Sequence, residues 1–290
     1  MDIKTTLAMR KVLIPTDFSD NAMNALKYAV ELFKYDTGIF FIMHAYQDEI
    51  YADRKMLSRH TIAEATEIIG NRAQLKLESM LKELKTLSPN PRHEYRIVSA
   101  NKMLVDAADK IVDEENIDII VMGTRGKTND RNLVFGSHTL QVLKYVQCPV
   151  LAIPENFVGI QPRHILFPTN YLIPYKRREL KLLCELAAPY RAIIDMLYIS
   201  KFKRLSLRQQ DNQNFIKSEL DKNEVNFKTI SAKSISNAIY TYIKENKIDM
   251  LVMVNTRQSF LESLLFESTI DKMSLYVDIP FLALQNTART

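Results

Sequence analysis

The sequence predicts an α/β protein made of two tandem open parallel five-stranded sheets with helices on both faces. Three observations predict it. The length of 290 residues suits two domains, at about 100–200 residues each. Short apolar runs alternate with helical stripes, the pattern of parallel strands covered on both sides. The chain also repeats itself. Lys11-Val-Leu-Ile-Pro-Thr-Asp-Phe18 matches His164-Ile-Leu-Phe-Pro-Thr-Asn-Tyr171 at an offset of 153 residues. Ile117-Asp-Ile-Ile-Val-Met122 matches Ile248-Asp-Met-Leu-Val-Met253 at an offset of 131, and Tyr145 to Ala152 matches Tyr276 to Ala283 at the same offset. The second copy has therefore lost 22 residues from its middle. Residues 1–155 and 163–290 are the expected domains, and Pro154 to Arg163 reads as their linker.

Within the first copy, Val12 to Pro15 is a short buried strand. Ser19 caps the helix that follows. Ala22, Ala25, Leu26, Ala29, Leu32 and Phe33 fall on one face of that helix. Ile39 to His44 is a second apolar strand, followed by a long amphipathic helix over 62–87. Tyr95 to Val98 reads as the third strand. Met103, Leu104, Ala107, Ala108, Ile111 and Val112 form the next helical stripe. Ile117 to Met122 is the fourth strand, Leu140, Leu143 and Val146 mark the last helix, and Val150 to Ile153 is the fifth strand.

Composition removes several classes of protein. Apolar residues make up 47% and charged residues 25%, ordinary for a globular chain. The two cysteines, Cys148 and Cys184, have no CxxC or Cys/His neighbour. A disulfide framework or zinc site is not expected. Met1 to Lys11 carries no signal pattern, and no apolar run approaches the ~20 residues that cross a bilayer, so the expected compartment is cytoplasmic. Residues 1–155 hold 20 Lys and Arg against 21 Asp and Glu; the remainder holds 19 against 13. That basic excess reads as solvated helix and loop faces rather than as a nucleic-acid surface.

Glycine is the unusual residue. The chain has six, where roughly 7% is average. Three of them, Gly123, Gly126 and Gly136, lie within fourteen residues just after the fourth strand. Ligands of open parallel sheets bind beyond the carboxyl ends of the strands, where the strand order switches. At those ends stand Pro15, Thr16 and Asp17, and then Gly123-Thr-Arg-Gly126, nine residues, and Gly136-Ser137 opening a helix. Glycines let backbone N–H groups approach phosphate oxygens, and a helix N-terminus favours anions. Ser137 and Thr139 add hydroxyls, Arg125 and Lys127 add charge, and Asp17 suits a ribose or purine. No Walker loop or GxGxxG fingerprint is present.

On the repeat, Asp17 in Pro-Thr-Asp-Phe-Ser and the spacing G-x2-G-x9-G-S, the chain resembles a tandem universal stress protein over most of its length, twice. The resemblance implies a Rossmann-like, adenine-nucleotide alpha-hydrolase-like fold and ATP bound in the first copy. It places Pro15, Thr16, Asp17 and Ala45 on the adenine and ribose side. Met122, Gly123, Arg125 and Gly126 would flank ribose and phosphates. Gly136, Ser137, His138 and Thr139 would hold the phosphates, with Mg2+ or Mn2+ on the phosphate oxygens. It also implies that the two domains pair through their last strands as a pseudo-dimer within one chain, with a further homodimer open.

The second copy departs at the same positions. Gly123 becomes Val254, Gly126 becomes Arg257, Gly136 becomes Glu267 and Asp17 becomes Asn170; Ser268 alone remains. A carboxylate at the helix start repels phosphate, so this copy is expected not to take ATP in the same manner. Asp17 reads as a ligand-orienting carboxylate rather than a general base, since no partner that positions water stands beside it. The expected role is a nucleotide-binding stress sensor or regulator, with a weak ATPase activity left open. The alternatives are a nucleotide-independent interaction or ligand-binding protein that uses the second domain, and a slow ATPase or phosphotransferase. His44 is expected to be packed or solvent-facing. His60, His93 and His164 have no metal-ligand spacing, and Cys148 before Pro149 reads as buried and inert.

Overall fold

The computed structural model describes residues 9–124, 135–155, 157–159, 161–201, 204–255 and 278–286. The chain divides into two compact units, one centred on residues up to 156 and the other on 157–290.

In the first unit, strand β1 (Arg10–Pro15) leads to helix α1 (Asp20–Leu32) and strand β2 (Gly38–Ala45). Two short helices, α2 (Gln47–Ala52) and α3 (Arg54–Leu57), precede the long α4 (Ile62–Leu87). Strand β3 (His93–Ala100), helix α5 (Leu104–Glu115), strand β4 (Ile119–Gly123), helix α6 (Ser137–Tyr145) and strand β5 (Val150–Ile153) complete it. All neighbouring strands are parallel, in the order β3-β2-β1-β4-β5. β1 is thus the strand from which the chain first moves one way and then, after β3, crosses to the other side. Right-handed crossovers put α1 and α4 on one face and α5 and α6 on the other.

Sequence explains most of these boundaries. Val12, Leu13 and Ile14 are fully buried, as are Phe40 and Ile42 on β2. These are the continuous apolar runs of a sheet covered on both faces. Ser19 caps α1, its hydroxyl accepting from the Ala22 N–H at 3.2 Å. α4 begins at a capping box in which Thr61 and Glu64 bond each other's backbone N–H, and it covers the expected 62–87. The fourth strand starts at Ile119 rather than Ile117. The reason is Asp118: its carboxylate accepts the Lys11 N–H at 2.8 Å, while its own N–H donates to Lys11 O at 2.9 Å. Ile117 therefore packs as a buried residue ahead of the ladder.

In the second unit, β6 (His164–Pro168), α7 (Arg177–Ala187), β7 (Ile193–Ile199), α8 (Leu207–Glu219), β8 (Glu224–Ile230), α9 (Ile235–Asn246), β9 (Met250–Asn255) and β10 (Phe281–Gln285) follow in order. Its strands run parallel in the order β8-β7-β6-β9-β10, the same arrangement as in the first unit. Equivalent details recur. Asp249 accepts the His164 N–H at 2.9 Å, as Asp118 does that of Lys11. α5 ends on left-handed Asn116 and α9 on left-handed Lys247.

Candidate functional site

In the first unit a cleft of about 210 Å3 lies beyond the carboxyl ends of β1 and β4. Its walls bring together Pro15, Thr16, Asp17, Ala45, Met122, Gly123, Gly136, Ser137, His138 and Thr139. Ten of the twelve candidate residues thus share one cleft. Arg125 and Gly126 lie outside the described residues, as does Lys127.

The turn after β1 is held by its own side chains. Thr16 Oγ1 accepts the Phe18 N–H at 3.0 Å, and Asp17 Oδ1 accepts the Ser19 N–H at 3.0 Å. Phe18 takes a left-handed conformation, φ 64°, which is uncommon for a residue with a side chain. These bonds are the local chemistry that makes it tolerable.

Opposite this turn, α6 starts at Gly136, which supplies no side-chain cap. The Gly136 N–H donates to Thr124 O at 2.7 Å. The first-turn amides facing the cleft are therefore those of Ser137, His138 and Thr139, on the positive end of a helix. Ser137 and His138 are exposed, whereas Thr139 is buried. The Thr139 hydroxyl donates to Gly123 O at 2.9 Å. It ties the end of β4 to the start of α6.

His44 is packed, the first of the two expected placements, and it also forms a buried part of the cleft wall. Its Nδ1 lies 2.7 Å from Thr16 O; a carbonyl only accepts, so Nδ1 carries the hydrogen. Its Nε2 lies 3.2 Å from Glu49 Oε1, and its ring packs on Phe18 with centroids 4.4 Å apart. Glu49 reaches Arg72 on α4 at 3.4 Å.

Asp48 and Glu49 also line the cleft, and Asp48 Oδ2 lies 3.9 Å from His138 Nε2 across its mouth. Sequence reading missed them because α2 has six residues, too few to show a helical period. The usable signal was the acidic pair at its first turn, favourable near a helix N-terminus. Among the described residues no group of three or more His, Cys, Asp or Glu side chains is placed to hold a metal ion.

In the second unit the turn is retained and the walls are changed. Tyr171 is left-handed at φ 55°. Thr169 Oγ1 accepts its N–H at 2.9 Å, and Asn170 Oδ1 accepts that of Leu172 at 2.9 Å. Strand registers fix the other equivalences. Pro15 pairs with Met43 and Pro168 with Leu197, so Ala45 corresponds to Ile199 and His44 to Tyr198. Val12 pairs with Ile119 and Ile165 with Met250, so Gly123 corresponds to Val254. Arg257, Glu267 and Ser268 lie outside the described residues.

An open, doubly wound parallel sheet with a polar cleft at its switch point defines a Rossmann-like α/β protein. The chain belongs to the Universal stress protein family, whose model matches residues 9–154. Universal stress protein MJ0577 of Methanocaldococcus jannaschii is 28% identical over 159 residues, which is 51% of this chain and 96% of that protein. Universal stress protein MJ0531 of the same organism is 31% identical over 147 residues, 50% of this chain and 82% of that one. A crystal structure of a universal stress protein from Archaeoglobus fulgidus aligns with TM-score 0.67 at 16% identity, covering 95% of this chain and 96% of that chain. That likeness is one of fold. Among the described residues no helix is long and apolar enough to cross a membrane.

Proposed function

We propose that the first unit binds ATP and that the protein acts as a stress-response sensor or regulator rather than as an enzyme. The observation that carries this reading is the cleft itself. One wall is the Asp17 turn, held by its own hydrogen bonds; the other is a helix N-terminus without a side-chain cap. Such a terminus favours phosphate, and a carboxylate at a strand end suits ribose hydroxyls. In this reading Pro15, Thr16, Asp17 and Ala45 face the adenosine. Met122, Gly123, Arg125 and Gly126 flank the ribose and phosphates, and the amides of Ser137, His138 and Thr139 take the phosphates. A divalent cation such as Mg2+ or Mn2+ would be carried on the phosphate oxygens.

On the same reading residues 1–155 are the nucleotide-binding domain and residues 163–290 a degenerate copy. The copy serves in pairing with the first domain within one cytoplasmic chain, which a homodimer would extend. Calorimetry with purified protein tests the central claim. ATP should bind the native chain, and Gly123→Val with Gly136→Glu should abolish it. Absence of binding to the native chain at millimolar ATP would refute the reading.

A further inference from the structure

The second unit keeps a cavity at the place where the first unit has its cleft. It measures about 80 Å3, and its lining includes Pro168, Thr169, Asn170, Ile199, Met253 and Val254. These correspond one by one to Pro15, Thr16, Asp17, Ala45, Met122 and Gly123 of the first cleft. The location is conserved between the units while the chemistry is reversed. Asp has become Asn, and the two smallest of these six, Ala45 and Gly123, have become Ile and Val.

Part of the polar surface of this wall is satisfied within the chain. Thr169 Oγ1 and Tyr175 Oη are hydrogen-bonded to each other. Asn170 Oδ1 accepts the Leu172 N–H. Tyr175 is buried against Phe167, with ring centroids 5.9 Å apart. The buried carboxyl of Glu179 acts electrostatically on Tyr175 and would oppose an anion. Among the described lining residues there is no cationic side chain, so phosphate or carboxylate entering here would lose hydration without gaining a counter-charge, a large cost. A cavity lined mainly by apolar side chains favours apolar guests.

We propose that the second unit's cavity binds a small uncharged apolar molecule, an aliphatic or aromatic group, at the site where the first unit is open to polar ligands. This stands whether or not the first cleft takes ATP. The two methionines provide matched reporters, since Met122 lines one cleft and Met253 the other. The full chain is labelled with 13C-methyl methionine, the two signals are assigned through Met→Leu variants, and benzene and ATP are titrated separately. Benzene should move the Met253 methyl signal saturably, and ATP should leave it in place.

Ile199→Trp fills the cavity and should remove the benzene response. Ile199→Ala enlarges it and should raise the affinity for naphthalene at least several-fold. An unmoved Met253 signal at benzene saturation, a response that survives Ile199→Trp in a folded protein, unchanged naphthalene affinity in Ile199→Ala, or movement of Met253 by ATP would each overturn the proposal. The Met122 signal reports the first cleft independently: if ATP fails to move it, the nucleotide reading fails and the cavity reading does not.

Discussion

Tyr46 lays its hydroxyl against Gly70. A Cβ built on Gly70 would fall 2.9 Å from Tyr46 Oη and 3.3 Å from its Cζ. Gly70 sits inside α4, where glycine costs about 1 kcal/mol relative to alanine. The close approach explains its presence: Tyr46, Ile50, Ala65, Ile69 and Ala73 form one buried cluster that seats α2 on α4. Gly70→Ala should therefore displace Tyr46 and the cleft-lining Asp48 and Glu49. We expect ATP affinity to fall several-fold by calorimetry, although Gly70 does not line the cleft. An unchanged affinity would show that α2 has no part in the site.

Thr139→Val keeps the shape of the residue and removes its hydroxyl. The Gly123 carbonyl then loses its donor, and an unsatisfied buried acceptor costs about 1–3 kcal/mol. Chemical denaturation should report a loss of that order. ATP binding should weaken as well, because β4 and α6 are no longer tied.

Glu179 supplies a pH test for the second unit. Its Oε2 accepts the Lys176 N–H and an amide hydrogen of Asn286, at 3.3 and 3.1 Å, and Oε1 is buried without a hydrogen bond among the described residues. Burial pushes its pKa above the usual carboxylate range. The folded state then holds the proton more tightly than the unfolded state. This contribution to stability is full below the unfolded value of about 4.3, and is lost as pH rises through the folded value. Glu179→Gln removes that loss. Melting curves should show the variant gaining on the native chain as pH rises from acid to neutral, with a constant difference beyond the folded pKa.

Asp195 on β7 is buried, in the place that Phe41 occupies on β2 by strand register. Its carboxylate accepts hydrogen bonds from Tyr242 Oη at 2.7 Å and Asn226 Nδ2 at 3.0 Å, with Lys228 Nζ at 3.8 Å. Tyr242→Phe deletes one donor to a buried charge and should cost on the order of 1–3 kcal/mol. Asp195→Leu with Tyr242→Phe should cost less than the two single changes added together, because neither the Tyr242 hydroxyl nor the Asp195 carboxylate is then left without the other. Additive losses in denaturant titrations would contradict this network.

The strands were legible because buried parallel strands are apolar runs, and α4 because 26 residues give a helical stripe several turns to declare itself. What escaped was of another kind. The start of β4 is set by Asp118, a side chain bonding a backbone 107 residues away, and no local pattern carries such a contact. His44 looked ordinary in a β-strand; its place in the cleft depends on Thr16 O, on the neighbouring strand's turn. Gly136 stands at the helix start in ordinary extended backbone, and its N–H bonds Thr124 O, which spacing alone does not reveal. The residues lining the cleft were legible because motif and strand end coincide, while the acidic wall from α2 was not.

The left-handed residues Phe18 and Tyr171 mark the same turn in both units, although one turn carries Asp17 and the other Asn170. Each turn is closed by a threonine hydroxyl and an Asp or Asn side-chain oxygen bonding the backbone two residues ahead. Conformation there is self-sufficient and does not wait for a ligand. Asp and Asn serve that closure equally while differing in what they present to solvent. A duplicated gene could therefore exchange one for the other without disturbing how the chain folds. The turn acts as a hinge point for divergence: architecture is inherited through atoms that face the backbone, and specificity is free to drift through atoms that face outward.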